Sequence, residues 1–185
     1  MKIFTLILLF TLLACTTQKK THNDWLCHTI QADPKNHGPD GINFHDWDGD
    51  GHTDILANFE EGKVSRLYFN PGKEQLRGLW THSIEFKHGQ CEDSAIGDLD
   101  NDGDIDYIAN GGWVYFNPGK ESVKEASKWQ VMTLSKKEGR VPIVVDMDGD
   151  GLNDLLVAGS YWYKQPQAGK RNANNWQKFI IGDRK

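Results

Sequence analysis

The chain has 185 residues, of which 38% are hydrophobic and 25% charged, and a formal net charge of −5. This is ordinary globular composition, which excludes bulk disorder and leaves room for one sizeable core or a short array of repeats. No basic stripe stands out that would argue for a nucleic-acid partner.

At the amino end, Met1 and Lys2 precede the apolar run Ile3 to Leu13. A positive start and an apolar stretch too short for a bilayer core of roughly 30 Å predict a secretory signal over residues 1–14 rather than a membrane helix. The run closes Leu12, Leu13, Ala14, Cys15, which resembles the lipobox of bacterial lipoproteins. That resemblance implies cleavage before Cys15, lipid on the new amino terminus and a polar tether over 15–24, hence a partner in the membrane and a place in the cell envelope. Thr16 and Thr17 offer no Asp-type retention signal, which favours the outer membrane. The alternative is an ordinary signal cut near Ala14, with Cys15 incidental. Export would allow disulfides. Cys27 and Cys91 fall in different repeats and form no CxxC motif, so they are expected to be two buried free thiols.

Beyond the tether the chain repeats itself. DWDGDGHTDIL begins at Asp46, DLDNDGDIDYI at Asp98 and DMDGDGLNDLL at Asp146, a period of about 50 residues. Each copy continues alike, with LYFNP at Leu67 to Pro71, VYFNP at Val114 to Pro118 and WYKQP at Trp162 to Pro166. A Gly/Lys-containing linker then leads to a tryptophan heading an alternating segment: Trp80 to Ile84, Trp129 to Leu134 and Trp176 to Ile181. A fourth such segment, Trp25 to Ile30, stands before the first aspartate loop.

Strands are predicted entering the loops (Ile42 to His45, Ser94 to Gly97, Val141 to Val145) and leaving them (Ile55 to Asn58, Ile105 to Asn110, Leu155 to Ala158). The segments are short, aromatic and β-branched, and bounded by Gly, Asn and Pro. No window of ten or more residues carries a helical apolar stripe. Four strands per 40 to 50 residues is the arithmetic of a propeller blade. The prediction is an all-β, propeller-like array of about three four-stranded blades, open or partial, over 25–185: blades at 38–87, 91–135 and 139–182, and an orphan strand at 25–30.

Within each loop, aspartates occupy positions 1, 3, 5 and 9 and glycine position 6: Asp46, Asp48, Asp50, Gly51 and Asp54 in the first. The second has Asp98, Asp100, Asp102, Gly103 and Asp106, and the third Asp146, Asp148, Asp150, Gly151 and Asp154. Four carboxylates within nine residues repel one another unless a hard cation sits among them, and Ca²⁺ suits a flexible all-oxygen cage. Position 7 is His52, Asp104 or Leu152, a variation that costs nothing if only the backbone carbonyl binds. An EF-hand would need a bidentate Glu at position 12 and flanking helices, whereas position 12 is Ala57, Ala109 or Val157. About three Ca²⁺ sites are therefore expected. With the twelve loop aspartates discounted the net charge of −5 becomes +7, and three bound Ca²⁺ bring the whole chain to +1, so the acidity belongs to the loops.

These loops at this spacing resemble the FG-GAP repeats of integrin-type propellers and the related VCBS repeats of bacterial surface proteins, over about residues 25–182. The resemblance implies a calcium-stabilised propeller with one ion between the first two strands of each blade, and a role in adhesion, scaffolding or recognition. It carries no catalytic residues onto this chain. Three blades do not close the usual ring of six to eight, and an exposed strand edge invites pairing with another chain.

Six residues before each first aspartate stands a charge: Asp40, Glu92 and Arg140, with Asp93 beside the second. If first strands line a central channel, these mark a ligand-binding face near its mouth. The in-register tryptophans, and Trp47 at loop position 2, are expected to be packing residues. The histidines match no zinc or catalytic spacing. Glu92 or Asp93 with His88 could do acid–base work, but the sequence supplies no geometry for it. The expected function is a binding or scaffold module of the cell envelope that recognises a glycan or protein. The alternatives are a polysaccharide lyase or hydrolase using the same face, or a fragment of a longer propeller.

Overall fold

The structure is a computed structural model that describes residues 26–31, 38–134, 141–157 and 161–182. The leader, Cys15, the tether, Trp25 and Arg140 lie outside the described residues. Within them no helix is long and apolar enough to cross a membrane.

Among the described residues, twelve strands build three sheets. The first contains β1 (Pro39–His45), β2 (Asp54–Phe59), β3 (Val64–Tyr68) and β4 (Ser83–Lys87). The second contains β5 (Ser94–Gly97), β6 (Asp106–Ala109), β7 (Trp113–Phe116) and β8 (Gln130–Thr133). The third contains β9 (Pro142–Val145), β10 (Asp154–Val157), β11 (Tyr161–Lys164) and β12 (Gln177–Ile180). Every sheet is an antiparallel meander in chain order. First strands meet across sheets, β1 against β5 and β5 against β9, so the sheets stack face to face in an open array.

The register explains the packing. Leu56 pairs with Leu67 and Leu67 with Ile84, which puts all three on one face, toward Tyr107 and Tyr115 of the second sheet. Residues one step along point the other way, because side chains alternate across a strand. Ile108 and Val114 therefore face Leu155 and Tyr163 of the third sheet in a second core. Gly97 lets β5 approach β9, since a Cβ there would lie 2.8 Å from Val144 Cβ.

The recurrent tryptophans are buried. Each indole N–H donates to a carbonyl of its own linker: Trp80 to Leu76, Trp129 to Val123 and Trp176 to Lys170, at 3.2, 2.9 and 2.7 Å. A 3-10 turn precedes the second and third of them, at Ala126–Lys128 and Ala173–Asn175. Because the tryptophans anchor the linker, the fourth strand starts after them. In the first repeat it begins at Ser83, which pairs with Tyr68, rather than at Trp80. Trp80 instead donates its backbone N–H to Ile30 at 2.7 Å. Residues 26–31 form no strand; Gln31 is fastened by its side chain to Arg66 and Tyr68. The two thiols are free, but only Cys91 is buried; Cys27 is exposed, which corrects the expectation for that residue because the segment carrying it is not covered by a sheet.

Candidate metal centres

Each aspartate loop is the turn between the first two strands of its sheet, and the same hydrogen bonds shape all three. The position 1 carboxylate accepts the backbone N–H groups of positions 5 and 6: Asp46 from Asp50 and Gly51 at 3.1 and 2.9 Å, Asp98 from Asp102 and Gly103 at 3.0 Å each, Asp146 from Asp150 and Gly151 at 3.2 and 2.9 Å. The position 5 carboxylate accepts the N–H of position 7, from His52, Asp104 and Leu152. This wrapping requires φ of +87° at Gly51, +97° at Gly103 and +84° at Gly151, the left-handed region that glycine enters without a side-chain clash.

Position 9 does different work. Asp54, Asp106 and Asp154 are fully buried. One oxygen of each accepts the N–H of position 2 (Trp47, Leu99, Met147), and the other accepts an N–H just beyond the third strand (Asn70, Asn117, Gln165). The carboxylate, at the start of the second strand, thus ties the loop to the end of the neighbouring third strand. Burial pushes Asp54 up to about 6 and Asp106 up to about 8, and the neighbouring loop carboxylates add to the rise.

Three carboxylates in each loop bring one oxygen apiece within 4.8 Å of the others: Asp46, Asp48 and Asp50; Asp98, Asp100 and Asp106; Asp146, Asp148 and Asp154. One oxygen of Asp100 is buried without a hydrogen-bond partner, and burial raises this acid as well. Crowded like charges, an all-oxygen donor set and an orphaned buried oxygen fit a hard divalent cation. The position 7 side chains stay outside these triads.

Basic side chains, which the spacing of the loops did not reveal, also reach them. Lys124 meets Asp48 at 2.6 Å, and Arg171 pairs with Asp100 and, at 2.7 Å, with Asp102. Both stand five residues before the tryptophan of the following repeat, so each repeat supplies a cation to the loop of the repeat before it. In the third loop Lys164, from the same repeat, pairs with Asp148 and Asp150. Loops two and three are further joined: Asn153 donates from its side chain to the Asp98 carbonyl at 2.7 Å and from its backbone to Asn101 at 3.0 Å.

Of the residues expected on a ligand-binding face, Asp40 is the second residue of β1 and is exposed, and Glu92 and Asp93 precede β5. They gather around Cys91: the charges of Asp40 and Asp93 are near enough to add to the rise that burial causes in its thiol, and the Glu92 carbonyl would lie 3.0 Å from a Cβ on Gly41. His88 is turned elsewhere. Its ring nitrogens meet Ser65 Oγ at 2.7 Å and the Gly89 carbonyl at 2.6 Å. Ser65 is buried and touches Tyr107 and Asn58, so these groups form a polar network between the first two sheets. Trp47 is buried in the same interface.

Compared with known proteins, residues 46–109 match the model of the FG-GAP-like repeat. That stretch runs from the first aspartate loop to the end of β6, and so contains two of the three loops. No curated protein and no solved structure matches the chain.

Proposed function

We propose that the FG-GAP-like repeats of this chain form a calcium-stabilised binding or scaffold module of the cell envelope, held there by lipid on Cys15. Its ligand is a glycan or a protein, bound at the face that carries Asp40, Glu92 and Asp93, to which Arg140 is assigned by its place in the repeat. The observation that carries this reading is that a cluster of three aspartates, including positions 1 and 3 each time, recurs in all three turns joining the first two strands of a sheet, wrapped by the same backbone hydrogen bonds. A bound Ca²⁺, held by the position 1, 3, 5 and 9 aspartates, would add positive charge to that of the basic side chain paired with the carboxylates of each loop. The chain's own residues fix the cage beforehand, and with it the start of β2, β6 and β10. FG-GAP-like repeats suit such a role because a rigid stack presents one face for recognition and needs no moving part.

Thermal unfolding of the full chain in calcium, in magnesium and in chelator tests the metal part. A ligand at 100 times its dissociation constant that binds only the folded state adds about 2.7 kcal/mol per site, so a calcium-specific rise of many degrees is expected. No difference between calcium and chelator would remove the metal reading. Retention on immobilised envelope and plant polysaccharides, compared between wild type and Glu92→Gln, tests the face. Retention without new chain ends is the expected outcome, and product formation would point to an enzyme instead.

A further inference from the structure

The interfaces between repeats are built from equivalent positions. Toward the repeat that follows, the first sheet presents Trp47, Leu56 and Leu67 and the second presents Leu99, Ile108 and Val114; all six are buried. The third sheet has the same positions filled by Met147, Leu156 and Trp162, yet Met147 is 46% exposed, Ile143 beside it on β9 is 44% exposed, and the other two are half-buried.

Toward the repeat that precedes, the second and third sheets present Ile96, Tyr107 and Tyr115, and Val144, Leu155 and Tyr163. The first sheet carries the matching set Phe44, Ile55 and Tyr68. Phe44 and its neighbour Ile42 are each 55% exposed. Ile30 and Gln31 run over the outer part of this face, leaving an apolar cavity of about 220 Å³.

Charge follows the same order. Loops one and two receive Lys124 and Arg171 from the next repeat, five residues before its tryptophan. In the first repeat that position is Gln75, which is exposed and uncharged. The third loop, the one with no cation from a later repeat among the described residues, has Lys164 from its own. A first repeat set against a third loop would therefore place a neutral residue where the charge is already met.

We propose that two copies of this chain associate head to tail, the open face of β9 to β11 in one copy seated on β1 and β2 of the other. This continues the established contacts β1 to β5 and β5 to β9. A head-to-tail contact closes a ring if its rotation allows, and two copies give six sheets, within the span of four to eight that propellers use.

The test is the mass of the full chain by sedimentation across a range of concentrations, for wild type, Ile143→Glu and Phe44→Glu. Both positions are exposed, so the variants keep the fold. Wild type is expected to dimerise and each variant to associate at least tenfold more weakly. An equimolar mixture of the two variants is expected to regain association, because each supplies the intact face that the other lacks; this rescue also shows both variants to be folded. A wild type that stays monomeric overturns the proposal. So does association that neither variant weakens, as pairing through the apolar residues 3–13 would produce, and so does dependence on only one of the two faces.

Discussion

The position 9 aspartate should be the most costly loop residue to remove, and Asp106 is the clearest case. Its carboxylate is fully buried and accepts the N–H of Leu99 at 2.8 Å and of Asn117 at 2.9 Å. Asp106→Ala leaves both donors buried without an acceptor, and each orphaned donor costs about 1–3 kcal/mol. The expected loss is about 3–5 kcal/mol. Asp106→Asn keeps one carbonyl oxygen but turns an NH₂ toward the other donor, for a loss of about 1–3 kcal/mol by the same reasoning. Asp102 is the control: it is exposed and its pair with Arg171 is at the surface, so Asp102→Ala should cost under about 1 kcal/mol. Urea unfolding followed by tryptophan fluorescence, in chelator so that no cation contributes, measures all three. If Asp106→Ala were no worse than Asp102→Ala in chelator, the position 9 carboxylate would not be a structural tie, and its burial would have to be explained by metal binding alone.

Leu56 and Leu156 hold equivalent positions, one fully buried between sheets and one half-buried on the open face. Leu56→Ala should cost about 2–5 kcal/mol and Leu156→Ala clearly less, by urea unfolding at a concentration where the chain is monomeric. Gly97→Ala should lose about 1–3 kcal/mol through overpacking against Val144, whereas Gly103→Ala, where nothing lies within 4 Å, should lose about 1–2 kcal/mol through its positive φ alone. Burial holds His88 below its ordinary 6.5. The folded chain then binds this proton less readily than the unfolded one, so its contribution to stability is complete above about pH 6.5 and is lost as pH falls below that. The stability difference between wild type and His88→Gln, measured from pH 8 to 5, should shrink or reverse toward the acid end; a difference independent of pH would show that the ring is not held neutral.

Much of this architecture is written locally. The period, the strands on either side of each loop and the burial of Trp47, Trp80, Trp129 and Trp176 follow from alternation, turn residues and recurrence, because those signals act within a few residues of one another. The cage chemistry was legible for the same reason: positions 1, 3, 5 and 9 lie on a single turn. The aspartates nevertheless divided their labour in a way that spacing does not carry. Asp54, Asp106 and Asp154 bind strand ends 11 to 16 residues away, and only the pairing of the second and third strands brings those ends to the loop. Lys124 and Arg171 were invisible for a stronger version of that reason. Both sit in linkers that look like ordinary solvated charge, and they reach Asp48 and Asp100 only because adjacent sheets stack with first strands in contact. The sequence by itself determined the repeat, its strands and its acid loops, since these depend on short-range periodicity. Tertiary structure decided which acids are buried, which cations answer them, and which apolar face stays open, since those depend on how one sheet lies upon the next.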